Sequence, residues 1–167
     1  EQSLAMRRTI GDRRGEGMVL SSLGLDYDYL GQYEQAIDYH EQALVISREI
    51  GDRQGESADL GNLGLAHDNL GQSKRAIEYD EEALAITREL GDRLAESVQL
   101  GNLGLAHSNL GEYERAIAYY QEALDIARDV EDRQSESRHL GNLGVAYDDL
   151  GQIQKAVACY ERRLDIA

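Results

Sequence analysis

Three asparagines recur at a fixed spacing of forty residues, at Asn62, Asn102 and Asn142. Asparagine is a mediocre helix former, so its repetition inside segments that otherwise favour helix calls for a reason. Each side-chain amide offers two N–H donors and one carbonyl acceptor. A ladder of such amides can hold an extended peptide backbone with little demand on its sequence. Two alternatives stay open: a structural hydrogen bond to a neighbouring helix, and drift after a recent duplication.

Glycines recur with the same spacing beside these asparagines. A glycine inside a helix costs about 1 kcal/mol relative to alanine, so each copy needs an explanation. We interpret Gly64 and its equivalents as places where two helices approach closely. Gly61, Gly101 and Gly141 have two open interpretations, which are helix packing and a missing side chain that lets the backbone of a ligand come near.

Other reactive residue types occur without the spacing that catalysis or metal binding needs. His67 and His107 replace Tyr27 and Tyr147 in the repeat, so we expect them in the core with one ring nitrogen bonded. Neither histidine has a His or Cys at ligand spacing, and Cys159 stands at a tyrosine position, which predicts a packed thiol. There is also no phosphate-binding loop and no Ser–His–Asp order. The sequence therefore predicts no enzyme activity, no metal and no cofactor.

The elements that position these residues follow from the repeat itself. We predict two helices per unit, an A helix capped by Asp52 and ended by a left-handed Gly71, and a B helix from near Ser73 to Leu90. The predicted array occupies residues 1–167, with a partial B helix at 1–10 and units at 11–50, 51–90, 91–130 and 131–167, the last one truncated in its B helix. The motifs that set this period are Gly-Asp-Arg at 11–13, 51–53 and 91–93, with Glu-Asp-Arg at 131–133, and Leu-Gly-Asn-Leu-Gly at 60–64, 100–104 and 140–144.

Composition narrows the possible partners. The chain of 167 residues contains no proline, which favours uninterrupted helices, and its formal net charge is −15. That charge argues against binding to nucleic acid phosphates and to anionic membrane surfaces. It is explained either by the solubility of an extended surface or by a preference for basic partners. No signal peptide and no apolar run of about 20 residues is present, so a cytoplasmic location is expected.

The pattern resembles the tetratricopeptide repeat over essentially the whole chain. The third unit carries that family's alternation of small and large residues, with leucine in place of tryptophan, tyrosine in place of phenylalanine and no closing proline. The Gly-Asp-Arg linker and the forty-residue period are similar to Pins-type adaptors and to repeats of bacterial and fungal signalling ATPases, and the Leu-x-Asn-Leu segment resembles kinesin light chain. The residues that carry the resemblance are Leu100, Leu103, Gly104, His107, Gly111, Tyr113, Ala116, Tyr120 and Ala123.

The resemblance implies an all-α fold, a right-handed superhelical solenoid of antiparallel helix pairs with the A helices lining a concave groove. In kinesin-light-chain-like repeats the asparagines that match Asn62 bind a peptide backbone. The groove-facing residues that the resemblance implies include their forty-residue equivalents in every repeat, and they are Asn62, Asn102, Asn142, Gly61, Gly101, Gly141, Leu65, Leu105, Asn69 and Asn109, with Ala58 and the acidic residues described next.

Acidic residues occupy the next turn of the implied groove, at Asp28, Asp68 and Asp148, and Arg138 is the one basic residue of the stripe. This favours a basic or amide-rich protein or peptide partner over an acidic carboxyl terminus. A solvated acidic face without a binding role is the alternative.

Three functions remain open from the sequence. The first is a protein–protein interaction scaffold that binds a partner segment in the groove. The second is a sensor or autoinhibitory arm of a larger signalling protein, because both ends fall inside repeats without a polar capping unit. The third is a structural module that self-associates end to end. Arg163, which replaces an alanine of the repeat, instead indicates that this face meets solvent and that the array ends near it.

Overall fold

The computed structural model describes residues 2–166, apart from the side chains of residues 2, 3, 5 and 8. Regular structure in that part of the chain consists of nine α-helices and no strand, as the sequence predicts. The A helices are α2, α4, α6 and α8, and the B helices are α3, α5, α7 and α9, with α1 as the partial B helix. Their bounds are α1 Gln2–Ile10, α2 Arg13–Tyr29, α3 Tyr33–Ile50, α4 Arg53–Asn69, α5 Ser73–Leu90, α6 Arg93–Asn109, α7 Tyr113–Asp129, α8 Arg133–Asp149 and α9 Ile153–Ile166.

The described residues up to Ile86 form one compact unit, and those from Thr87 onward form a second. In the first unit, α3 packs against both α2 and α4, and α1 packs against α2. Two apolar clusters lie between these helices. One contains Leu20, Ala43 and Ile46, and the other contains Leu44, Leu60, Leu63, Ala83 and Ile86.

In the second unit, α7 packs against α6 and α8, and α8 packs against α9. Its core is centred on Tyr120, which is buried with 2% of its surface exposed. Cys159 is half-buried and packs against this core, as its place in the repeat predicts. The other core residues are Ala116, Ile117, Leu124, Leu140, Leu143, Ala146, Tyr147 and Ala156.

The predicted helix ends are confirmed. The side chain of Asp52 caps α4 by accepting a hydrogen bond of 2.9 Å from the backbone N–H of Gly55. Gly71 has φ +74°, which is the left-handed conformation expected after an A helix. In the last forty-residue repeat, Glu131 replaces the glycine that precedes the capping aspartate. The backbone still takes the left-handed conformation there, with φ 58°.

A buried glutamate in the first turn of α4 ties that helix to the preceding B helix, α3. Glu56 is 6% exposed and accepts a hydrogen bond of 2.8 Å from Arg48 Nε and another from Arg53. The guanidinium of Arg48 also pairs with Glu82 on the next B helix. Arg48 thus joins α3 to α4 and to the next B helix, α5, and Arg53 of the Gly-Asp-Arg segment bonds to the same Glu56. The Gly-Asp-Arg segment therefore contributes to the stacking of the repeat as well as to its turn.

Candidate functional site

The three asparagines lie half-buried in the middle of α4, α6 and α8. Asn62 and Asn142 make no side-chain hydrogen bond within the described part of the chain, and Asn102 Nδ2 lies 3.5 Å from Gln99 Oε1, at the limit of a hydrogen bond. A structural bond to a neighbouring helix therefore does not account for Asn62 and Asn142. Their amides remain open to a ligand.

Each asparagine belongs to a row of accessible residues that follows the helix at i, i+4, i+7 and i+11, one face of an α-helix. We call these rows the A-helix stripe. Apolar side chains alternate with amides along its α4 and α6 rows, and Leu25, Leu65 and Val145 are 50%, 36% and 51% exposed. In the first unit the stripe contains Met18, Ser22, Leu25 and Tyr29 of α2 and Ala58, Asn62, Leu65 and Asn69 of α4. In the second it contains Val98, Asn102, Leu105 and Asn109 of α6 and Arg138, Asn142, Val145 and Asp149 of α8.

The stripe is more apolar than the residues singled out from the sequence indicate. Leu65 and Leu105 were singled out, whereas Leu25, Tyr29 and Val145 were included only as forty-residue equivalents. Tyr29, at the end of α2, is 93% exposed. The signal was available, because these residues occupy the same repeat positions as Leu65 and Asn69, but an isolated exposed leucine is ordinary on any protein surface.

The glycines beside the asparagines are buried rather than open to the stripe. A Cβ atom on Gly101 would lie 2.6 Å from Cε1 of His139 in α8, so the close approach at Gly101 is made by a neighbouring A helix. Gly141 faces the end of the Arg163 side chain, with Nη1 2.9 Å from the position of a Cβ atom. Packing accounts for the glycine at Gly101, whereas a Cβ atom at Gly141 would meet only the end of a flexible side chain, and a role of Gly61, Gly101 and Gly141 in binding stays a prediction.

The acidic residues of the predicted groove are placed in two different environments. Asp28 accepts a hydrogen bond from His40 Nε2 at 3.1 Å, and Asp68 is buried and accepts one of 2.6 Å from Ser73 Oγ. Both carboxylates therefore serve the pairing of an A helix with its own B helix. Asp148 and Arg138 are exposed, and Arg138 donates to Ser135 Oγ at 3.3 Å.

His67 and His107 are core residues, as predicted. They are 3% and 6% exposed, and their rings stack on Tyr79 and Tyr119 with centroids 5.2 Å apart. One ring nitrogen of each is bonded, to Gln72 Oε1 in the first case and to a Glu112 oxygen in the second. Within residues 2–166 the structure brings together no group of three His, Cys, Asp or Glu side chains suited to a metal ion.

Polar side chains meet where one A helix packs on the end of the preceding B helix or on its neighbouring A helix. In the first unit Ser47 Oγ donates to Asp59 Oδ2 at 2.8 Å, and both residues are buried. In the second unit Ser97 Oγ lies 3.1 Å from His139 Nε2. Burial raises the pKa of the Asp59 carboxyl, and burial together with the nearby Arg138 lowers the pKa of His139 to about 4.

The sequence interpretation did not single out these junctions. Their signal is a variable position inside an otherwise constant repeat, because α4 carries Asp59 there and the equivalent residues are Val19, Gln99 and His139. A position whose polarity and charge change between repeats indicates a local environment that differs from repeat to repeat.

The helix pairs, their caps and the A-helix stripe are the features of one known repeat. The sequence profile of the tetratricopeptide repeat matches residues 17–89 and 94–167. The chain belongs to the tetratricopeptide repeat family. The predicted fold class, an all-α repeat solenoid, is confirmed by this match and by the solved structures described next. The tetratricopeptide repeat is typically a non-catalytic module for protein–protein interaction.

Three solved tetratricopeptide-like structures show the likeness. BtubC (BKLC) from P. vanneervenii is 25% identical with a TM-score of 0.81, over 98% of this chain and 76% of BtubC. A Rap protein complexed with competence and sporulation factor is 21% identical with a TM-score of 0.85, over 95% of this chain and 43% of the Rap protein. The third is a signal transduction ATPase with numerous domains, PH0952 from Pyrococcus horikoshii, which has a tetratricopeptide repeat sensor. It is 25% identical with a TM-score of 0.80, over 92% of this chain and 24% of that protein.

The chain thus spans less than half the length of the last two proteins. No curated protein matches the sequence at a significant level. Among the described helices, none combines the length and the apolar character that crossing a bilayer requires.

Proposed function

We propose that this chain is a protein–protein interaction scaffold that binds partner segments along the A-helix stripe of each unit. The observation that carries the proposal is the presence of unbonded amides at Asn62 and Asn142 beside exposed apolar side chains such as Leu65 and Val145. Amides can hold the backbone of the segment, and the apolar residues can bury its side chains. The Rap protein, solved with a bound factor, shows that a related fold accommodates a partner.

The net charge of the chain favours a partner segment that is basic or rich in amides. The formal net charge of −15 gives a field that attracts cationic segments and repels acidic ones. Arg138 is the one basic side chain of the stripe, so an acidic carboxyl terminus would find little to bind there. A basic or amide-rich segment fits best.

The test begins with peptides selected from a displayed random library against the whole chain. Affinities of the selected peptides are then measured for a variant in which Asn62, Asn102 and Asn142 are all replaced by alanine. We expect binding to weaken more than about tenfold, since several hydrogen bonds are lost at about 1 kcal/mol each. Folding should persist, because alanine is the better helix former.

The matched control replaces three exposed glutamines of the B helices by alanine, namely Gln35, Gln42 and Gln154. This control removes the same number of amides from a surface outside the stripe, and it should leave affinity unchanged. Peptides that bind both variants and the native chain equally would overturn the proposal.

A second candidate is a sensor arm within a larger signalling protein. It is favoured by the likeness to PH0952, in which tetratricopeptide repeats form the sensor of an ATPase. Reading the flanking gene tests it directly, since a continuous frame that encodes an ATPase domain supports this function and a frame without any further domain excludes it.

End-to-end self-association stays a prediction, which light scattering over a concentration series checks.

A further inference from the structure

A small cavity opens between two A helices of the first unit, α2 and α4, and the end of α3 forms its floor. Its volume is about 120 Å³. Pockets for drug-sized ligands have about 300–1,000 Å³, so this one suits a single side chain. Two of its lining residues, Met18 and Ala58, belong to the A-helix stripe, so the cavity adjoins the surface where a partner segment is proposed to lie.

The polar end of the cavity is formed by Asp59. This residue is 3% exposed, and one of its oxygens accepts the hydrogen bond from Ser47 Oγ. Ser21 also lines the cavity and bonds to the same carboxyl group. Within the described residues no lysine or arginine forms an ion pair with Asp59. A buried carboxylate without a counter-cation is costly, and burial accordingly raises its pKa.

Apart from the two serines and the pair Arg14 and Asp52, the rest of the lining is apolar or glycine. Met18, Ile46, Ile50 and Ala58 surround the space in front of Asp59. An apolar channel that ends at a carboxylate matches the shape of a lysine or arginine side chain, which has a methylene stem and a charged head. Arg14 stands at the rim, where it is 75% exposed and its Nε lies 3.6 Å from Asp52 Oδ2. Its charge is therefore offset there, and its side chain does not fill the cavity.

The second unit offers an internal comparison. The residue equivalent to Asp59 is His139, which is fully buried against Gly101 and bonded to Ser97. Its pKa of about 4 keeps the ring neutral at physiological pH. The same place in the repeat thus holds a carboxylate beside a cavity in one unit and a neutral ring that packs on a glycine in the other.

We propose that the cavity between α2 and α4 is a specificity pocket that takes one lysine or arginine side chain of the bound partner, with Asp59 as the residue that pairs with its charge. This inference rests on the proposed function, because the basic side chain belongs to a segment lying on the A-helix stripe. The pocket sets the register of the segment, since a single buried charge pair is satisfied in one position only.

The experiment uses the peptides selected on the whole chain. We expect them to share one basic residue at a fixed place. Replacing Asp59 by asparagine should weaken these peptides more than about tenfold, because one partner of a desolvated charge pair is removed. Replacing the basic residue of the peptide by norleucine should cost the native chain a similar factor and cost the Asp59→Asn variant little. The norleucine measurement on the native chain uses an unaltered protein, so that part of the test does not depend on how the variant folds.

The matched control is Asp80→Asn, which changes another buried aspartate of the first unit that does not line the cavity. It should leave the affinity unchanged once folding is verified by circular dichroism. Peptides that lose affinity in the triple asparagine variant but carry no fixed basic residue, or bind Asp59→Asn as well as the native chain, overturn the pocket and leave the scaffold intact. Peptides that are indifferent to the asparagines overturn the scaffold itself.

Discussion

Gly104 of α6 lies against the ring of Tyr120 in α7, so closely that a Cβ atom on Gly104 would fall 2.6 Å from Tyr120 Cε1. The equivalent glycines meet His40, Asp80 and Tyr160 in the other helix pairs. The ring of Tyr120 is buried and has no room to retreat. A glycine recurs at this position in every repeat because each A helix packs very close to its own B helix there.

Replacing Gly104 by alanine should lower the free energy of unfolding by up to about 2 kcal/mol. Overpacking costs about 1–3 kcal/mol, and the better helix propensity of alanine returns about 1 kcal/mol. The matched control is Gly141→Ala, where a Cβ atom meets only the flexible end of Arg163 and the change should be neutral or stabilising. Urea unfolding followed by circular dichroism measures both. Equal effects of the two substitutions would show that the tyrosine contact is not the cause.

Replacing Glu131 by glycine should stabilise the chain by about 0.5–1 kcal/mol. Glu131 holds φ 58°, a conformation that is costly for a residue with a Cβ atom and is free for glycine. The reverse change, Gly91→Glu at φ +68°, is the control and should destabilise by a similar amount. The midpoint of thermal unfolding is measured for each variant. A lower midpoint for Glu131→Gly than for the native chain would show that the left-handed backbone at Glu131 is not costly.

Much of this fold follows from local rules that the sequence shows directly. Asp52 and Gly71 define the ends of α4 through caps that involve neighbours only a few residues away, and the forty-residue period repeats the result. His67 is predicted to be in the core by the tyrosines that replace it in other units. These inferences need no knowledge of which helix faces which.

The parts that escaped prediction depend on contacts between distant segments. Asp59 and Ser47 belong to different helices, and so do His139 and Ser97. Asp68 was assigned to the groove by helical spacing, yet its carboxylate turns to Ser73 of the next helix. A period of 3.6 residues gives the face of a helix only to within one residue, and that margin decides whether a side chain points to the stripe or to the neighbouring helix.

Stability should fall as the pH decreases through the range between the ordinary and the folded pKa of His139. Burial, aided by Arg138 and opposed by Asp132, lowers this pKa to about 4, so the unfolded chain binds the proton first. The loss reaches about 3 kcal/mol once the pH approaches 4. The variant His139→Gln has the residue found at the equivalent position of the preceding repeat, Gln99, and it should lack this pH-dependent loss of stability.

Denaturant unfolding of both proteins at about pH 7.5 and about pH 5 measures the difference. Carboxylates titrate alike in the two proteins, so the comparison isolates His139. An identical loss in the native chain and in His139→Gln would contradict the assignment.

Replacing Arg88 by methionine should destabilise the second unit by about 1–2 kcal/mol, because buried Glu96 loses a charged hydrogen-bond donor. Glu96 is 5% exposed and accepts a hydrogen bond of 2.9 Å from Arg88 Nε. Burial opposes ionisation of this carboxyl, yet the hydrogen bonds from Arg88 and Arg93 lower its pKa on balance. The stability that the pair contributes is therefore present above the ordinary pKa of glutamate and is lost as the pH falls through the lowered one.

The matched control for that variant is Glu122→Gln, because Arg88 Nη2 also bonds to Glu122 at 2.6 Å but this partner is half exposed. A surface pair of this kind contributes about 0–1 kcal/mol, so Glu122→Gln should change the free energy of unfolding little. Urea unfolding at neutral pH ranks the two variants. If Glu122→Gln costs as much as Arg88→Met, the arginine acts mainly through its bond to the next B helix, and its bond to buried Glu96 is not the main source of the stability it contributes.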